Sequence, residues 1–118
     1  MAGASGFSQI PVGPTSGGKV YAYNNVATSP AQVAPANQSR TAITFHNPGT
    51  VDLFIAPVLA QTTGSSVALT PSNGALGGCF RLYANGGDRT ITGECQGAWQ
   101  AFAASGSANA LTVVDSNV

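Results

Sequence analysis

The chain has 118 residues, a length that suits one domain with a modest hydrophobic core. Four basic residues, four acidic residues and one histidine give a formal net charge of zero, while hydrophobic residues make up 43% of the chain. This composition leaves few groups for catalysis, lacks the clustered Lys and Arg on which nucleic-acid binding depends, and gives little electrostatic protection against self-association. We therefore expect part of the surface to be covered by a partner.

The first 39 residues predict an extended arm. They contain four prolines, five glycines and a single charged residue, Lys19, and both proline and glycine disfavour long regular elements. Only Lys19–Tyr23 predicts a short strand, with Val20 and Ala22 on one face and the two tyrosines on the other. We expect the arm, residues 1–39, to lie across a partner or a sister subunit; a frayed terminus is the alternative.

A regular strand pattern begins after Arg40. Thr41–His46 alternates, with Ile43 and Phe45 on one face, as a half-buried strand requires. Val51–Val58 alternates in the same way and predicts a strand that returns beside the first. Together the two segments predict the start of a β-rich body.

The segment between these two strands predicts a tight reversal. In Asn47–Thr50, Pro48 supplies a fixed negative torsion and Gly49 tolerates a positive one, which are the demands of a type II turn. We therefore expect a positive φ at Gly49 and a chain reversal between the strands.

Short strands separated by glycine-rich turns continue to the end of the chain. They are predicted at Ser66–Thr70, Cys79–Tyr83, Arg89–Thr92, Ala98–Phe102 and Ala110–Val114. Without helical periodicity, this spacing predicts an all-β body over residues 40–118, an antiparallel β-sandwich or jelly roll. The predicted core residues are Val20, Ile43, Phe45, Leu53, Ile55, Leu69, Leu82, Ile91, Trp99, Leu111 and Val113.

Few residues offer catalytic or metal-binding chemistry. His46 with Asp52 and a serine is one conceivable catalytic set, but no nucleophile-elbow motif accompanies it. Asp88 and Glu94 can be imagined as a glycosidase pair, although ion pairing with nearby arginines is the simpler role. We predict no enzyme activity, no catalytic residue, no cofactor and no metal site.

The two cysteines, Cys79 and Cys95, allow two interpretations. They form a disulfide if their strands are neighbours, or they are two small buried residues. Their spacing does not match the close paired ligands of a zinc site.

The sequence predicts no membrane partner. No apolar run approaches the roughly 18 residues that a spanning helix needs. The first twenty residues lack the pattern of a secretory signal, so synthesis in a cytoplasm is expected.

Aromatic and apolar side chains outside the predicted core are the candidate partner contacts. Tyr21, Tyr23 and Phe54 are expected to point away from the core, where they would contact a partner or stack on a sugar ring; core packing is the alternative. In the arm, Phe7 and two aliphatic residues are expected to become buried on assembly. The predicted contact residues are Phe7, Ile10, Val12, Tyr21, Tyr23 and Phe54.

Three segments, Ser39–Pro57, Val67–Pro71 and Ala110–Asp115, together resemble small all-β virion proteins of tailed bacteriophages. The likeness covers about residues 39 to 115 and includes an arginine that opens a strand, an Asn-containing turn, an Asp-Leu-Phe-Ile strand and a proline-marked loop. The pattern is most similar to capsid decoration, or cement, proteins.

The resemblance implies a jelly-roll-like body, self-association into dimers or trimers, and binding to the major capsid protein at the capsid surface of the virion. It implies no catalytic residues. The alternatives are a receptor- or carbohydrate-binding module of a phage tail or fibre and, third, a small hydrolase.

Overall fold

A computed structural model describes residues 18–58 and 79–117. Phe7, Ile10 and Val12, and the predicted strand Ser66–Thr70, lie outside the described residues. Within these two ranges every regular element is a β-strand. The strands are β1 (Gly18–Val26), β2 (Ala31–Ala34), β3 (Arg40–Asn47), β4 (Leu53–Pro57), β5 (Phe80–Leu82), β6 (Gly87–Ile91), β7 (Trp99–Ala103) and β8 (Asn109–Asn117).

The described strands form two four-stranded antiparallel sheets that pack together as a β-sandwich. The first sheet has the order β1-β8-β3-β6 and the second has the order β2-β7-β4-β5. Buried apolar side chains from both sheets form one core between them. The predicted all-β sandwich class is confirmed.

Strand pairing follows a nested order. β1 pairs with β8, β2 with β7, β3 with β6, and β4 with β5. The first four strands thus pair with the last four in reverse chain order. The pattern is that of one long antiparallel hairpin in which β4 and β5 are the innermost pair. Two further pairings, β3 with β8 and β4 with β7, complete the sheets.

Alternating side chains explain why these segments become strands with one buried face. In β3, Ile43 and Phe45 are fully buried, and in β8 Leu111 and Val113 are buried at the same spacing of two. Phe45 contacts Trp99 of the second sheet, with ring centroids 5.4 Å apart. These contacts place the core between the sheets.

Most of the predicted core is confirmed. Ile91 is half-buried and packs against the core, and Leu69 lies outside the described residues. The prediction that Val20 belongs to the core is wrong, because this residue is 65% exposed. The buried predicted residues are Ile43, Phe45, Leu53, Ile55, Leu82, Trp99, Leu111 and Val113.

The orientation predicted for β1 is reversed. Tyr21 and Tyr23 are half-buried against the core, whereas Val20 and Ala22 are exposed. The Tyr23 hydroxyl donates a 2.6 Å hydrogen bond to the carbonyl of Val33 in the second sheet. Because the phenol spans the two layers and finds a polar acceptor, the larger aromatic side chains occupy the inner face.

The predicted type II turn and strand return at Asn47–Thr50 are also wrong. β3 and β4 belong to different sheets, so the chain crosses from one layer to the other here. Among the described glycines only Gly86 and Gly106 have positive φ. Instead, the Gly49 N–H donates to Asn47 Oδ1 at 3.0 Å, an Asx turn.

The sandwich includes residues that the sequence placed in the arm. β1 and β2 each supply one edge strand, to the first and the second sheet respectively. β2 was not predicted, because its four residues lie between Pro30 and Pro35 and include Gln32, so they show no clear alternation.

Candidate functional site

The described residues do not assemble a cluster of metal-ligating side chains. Residues 18–58 and 79–117 contain no group of three His, Cys, Asp or Glu side chains arranged to hold a metal ion. Nor does this part of the chain contain a helix with the length and hydropathy of a membrane span.

His46 and Asp52 do not form a catalytic pair. His46 lies opposite Asp88 in the β3–β6 ladder, and its Nδ1 contacts the Asp88 carboxylate. Asp52 instead accepts a hydrogen bond from Arg81 Nε at 3.1 Å and one from the Ala84 N–H at 2.8 Å. His46 and Asp52 therefore have different partners.

The Asp52–Arg81 pair stabilises the end of β5. Hydrogen bonds from Arg81, and then from the Ala84 N–H, hold the pKa of the Asp52 carboxyl below its usual value. The Arg81 guanidinium also lies over the ring of Tyr83, 5.0 Å from its centroid. Tyr83 itself is 64% exposed, so this arrangement places an arginine against a surface aromatic ring.

Arg40 is buried and its guanidinium is fully hydrogen-bonded. Its side chain forms an ion pair with Asp115 of β8, with Nε 2.9 Å from Oδ1 and the second terminal nitrogen 2.9 Å from Oδ2. The remaining donors reach the carbonyls of Pro35, Cys95 and Gly97 at 2.7, 2.7 and 2.8 Å respectively. All five N–H donors of the guanidinium are thereby used.

This buried arginine joins the start of β3, the end of β8 and two connecting segments. Its hydrogen bonds lower the pKa of the Asp115 carboxyl, and Asn37 Nδ2 adds weaker contacts at 3.4 Å. Because every donor has a protein acceptor, the group is structural and is not available to a ligand. The sequence pattern identified Arg40 only as the residue that opens a strand.

The predicted aromatic contacts are largely covered. Phe54 does point away from the main core, as expected, but it is only 2% exposed. It stacks on Phe102 with ring centroids 5.2 Å apart, in a second small cluster. Tyr21 and Tyr23 pack inward, so none of these three side chains presents a fully exposed ring.

Of the two cysteines, only Cys95 matches the interpretation of a small buried residue. Cys79 and Cys95 are not joined by a disulfide. Cys95 is fully buried, and Cys79 is half-buried, with its pKa raised by burial.

The outer side of the first sheet is a broad surface to which all four of its strands contribute. We call it the small-residue face. Its side chains alternate with the buried ones of the same strands, and all are exposed or half-buried. The members are Gly18, Val20 and Ala22 of β1, Thr112, Val114 and Ser116 of β8, Ala42, Thr44 and His46 of β3, and Asp88 and Thr90 of β6.

The small-residue face is arranged in rows across the four strands. One row runs Val20, Val114, Thr44 and Thr90, and the next runs Ala22, Thr112, His46 and Asp88. Thr44 and Thr90 hydrogen-bond through their hydroxyls at 2.9 Å. The only ionisable groups among its members are His46 and Asp88, which are paired at one edge.

The alternation of β3 already signalled part of this face, because Thr44 and His46 alternate with Ile43 and Phe45. The sequence did not predict that β1 contributes to the small-residue face, because Val20 was assigned to the core. The rows themselves depend on strand register, which alternation within one strand does not specify.

Comparisons with known proteins return no relative. No family model, no curated protein and no solved structure matches the chain. The chain is a small antiparallel β-sandwich with a broad face of small, mostly uncharged residues.

Proposed function

We propose that the protein is a structural virion protein that binds the outside of a phage capsid and stabilises contacts between major capsid protein subunits. It acts as a self-associating, non-enzymatic component of the capsid surface. The observation that carries the proposal is the small-residue face. The resemblance of Ser39–Pro57 to capsid decoration proteins suggests the partner.

We also propose that the sandwich is a jelly roll. This architecture has eight strands in two sheets, and it is used by viral capsid and lectin domains. The nested pairing of β1 with β8 through β4 with β5 supports it, because rolling one long antiparallel hairpin brings β3 beside β8 and β4 beside β7.

The small-residue face suits docking to a protein surface for two reasons. Val, Thr, Ser and Ala side chains lose little rotamer freedom on burial, so immobilising them is inexpensive. Apart from the His46–Asp88 pair, no charge on the face has to be desolvated. Many copies, each with a modest contact, would then reinforce a shell through avidity.

Binding to purified capsids tests this proposal. Thr112→Arg places a charge in the middle of the small-residue face, between Ala22 and His46. Gln32→Arg is the matched control, because Gln32 is an exposed strand residue in the other sheet. We expect Thr112→Arg to weaken capsid binding by about tenfold or more and the control to bind like the parent.

Failure of the parent chain to bind capsids would overturn the proposal, and so would equal binding by both variants. Folding is checked first by circular dichroism. A Thr112→Arg variant that unfolds is replaced by Thr44→Arg, on the next row of the face.

One observation favours the alternative, a receptor- or carbohydrate-binding module. Tyr83 is 64% exposed and is held beside Arg81, an arrangement that can stack on a sugar ring. Glycan-array binding by the parent chain that disappears in Tyr83→Ala, without capsid binding, would establish this function instead.

A further inference from the structure

We propose that the outer edge of β1 is the self-association surface, where two copies of the chain pair antiparallel across a two-fold axis. The two first sheets then join into one continuous eight-stranded sheet. This inference deepens the self-association in the proposed function and rests on it for its biological setting. The strand geometry that supports it is independent of capsid binding.

β1 differs from the other three sheet edges of the described residues. β5 has three residues, and β2 has four residues with a register shift and with Pro30 and Pro35 beside it. β6 has five residues and carries Asp88 and Arg89. Short length, prolines, bulges and charges are the features by which proteins keep sheet edges from pairing.

β1 lacks most of these protective features. It has nine residues, no proline and one charge, Lys19. Gly18–Tyr23 pairs with Ser116–Leu111 of β8 without a register shift; the shift comes only after Tyr23. This segment therefore presents six consecutive residues of regular edge.

The outer backbone groups of that segment have no partner within the described part of the chain. The Val26 carbonyl, at the far end of β1, accepts a 2.9 Å hydrogen bond from Asn109 Nδ2. Among residues 18–58 and 79–117, no hydrogen bond outside the β8 ladder reaches the backbone of Gly18–Tyr23. An added strand would pair these N–H and C=O groups.

A second copy of the chain fits this edge. Val20 is 65% exposed and Ala22 is exposed on the same face, so a two-fold antiparallel pair brings these apolar side chains together across the junction. Lys19 lies near one end of the segment, so the two lysines fall at opposite ends of the paired strands. The formal net charge of zero adds no long-range repulsion between copies.

Joining the edges also makes the two small-residue faces continuous. An isologous contact of this kind closes at two copies, because each uses its β1 edge once. The dimer would present one wide face to the capsid.

Sedimentation velocity of the full chain over a range of concentrations tests the inference. Val20→Lys adds a charge at the β1 edge, and Thr90→Lys is the matched control at the exposed opposite edge of the same face. We expect a reversible dimer for the parent and the control, and a dimer dissociation constant raised by about tenfold or more for Val20→Lys. Ala22→Lys replaces Val20→Lys if that variant unfolds.

Hydrogen exchange supplies the second measurement. Amides of Gly18–Tyr23 that point away from β8 should exchange more slowly as the dimer forms. A chain that stays monomeric overturns the inference, and slow exchange in that monomer would indicate that another part of the same chain covers β1. Equal weakening by Val20→Lys and Thr90→Lys would also overturn it and indicate face-to-face association.

These results are separate from capsid binding. A dimer that follows the expected pattern but does not bind capsids supports this inference and overturns the proposed function. A monomer that binds capsids overturns this inference and the self-association in the proposed function, and it supports the capsid binding alone.

Discussion

Arg40 is the residue on which several parts of the sandwich depend. It is 1% exposed and its charge is balanced by Asp115, which is 2% exposed. Removing one member of a buried ion pair leaves an uncompensated charge, which costs about 3–5 kcal/mol. We expect Asp115→Asn to lower the free energy of unfolding in urea by about 3 kcal/mol.

Asp88→Asn is the matched control for that change. Asp88 pairs with His46 on the surface, and exposed pairs contribute less than about 1 kcal/mol. Equal losses of stability in the two variants would contradict the special role of the buried pair.

The Asp115 carboxylate should make the free energy of unfolding depend on pH. Hydrogen bonds from Arg40, its charge and then Asn37 lower the pKa of Asp115 in the folded state. Its contribution is therefore complete above the ordinary Asp pKa of about 4, and it is lost as the pH falls through the lower folded-state value. Urea unfolding from neutral to acid pH should show this loss in the parent and a shallower one in Asp115→Asn. An unchanged slope would exclude Asp115 as the cause.

The crossing between β3 and β4 is controlled by the Asn47 side chain. This residue is fully buried, and its Nδ2 donates to the carbonyls of Val51 and Leu82 at 2.8 and 3.1 Å. Its Oδ1 accepts from the Gly49 N–H. Because Asn47→Ala leaves these buried groups without partners, we expect a loss of about 2 kcal/mol in the free energy of unfolding.

Gly49→Ala distinguishes this Asx turn from a type II turn. An added Cβ would lie 3.5 Å from Asn47 Oδ1, which is ordinary contact, and Gly49 has no positive φ. Chemical denaturation should therefore show a change below about 0.5 kcal/mol. A loss comparable with that of Asn47→Ala would mean that the glycine itself is required.

At the scale of the whole molecule, we expect deletion of residues 1–15 to weaken capsid binding without unfolding the β-sandwich. β1 begins at Gly18, so deletion of residues 1–15 leaves all of the described strands in place. If Phe7, Ile10 and Val12 contact the capsid, the truncated chain should keep the circular dichroism and thermal midpoint of the parent but occupy fewer capsid sites. Full occupancy by the truncated chain would exclude the arm as a capsid contact, and loss of the fold would show that residues 1–15 belong to the body.

Local patterns were sufficient for the class of fold and for most of the core. Ile43, Phe45, Leu111 and Val113 were predicted correctly because a strand with one buried face must alternate, and this signal needs no knowledge of its neighbours. The small, polar outer residues of β3 were visible in the same alternation. β2 was missed because four residues between two prolines carry too little pattern.

The sequence alone thus determined an all-β chain with little charge and an alternating core, because composition and period-two alternation are properties of the chain itself. Tertiary structure decided what depends on distant partners. Tyr23 faces inward because Val33 offers an acceptor, and Arg40 can be buried because Asp115 and three carbonyls converge on it. Arg40 and Asp115 are 75 positions apart in the chain, so their contact cannot be found from local patterns. The small-residue face and the β1 edge likewise depend on which strands pair, which only the tertiary structure shows.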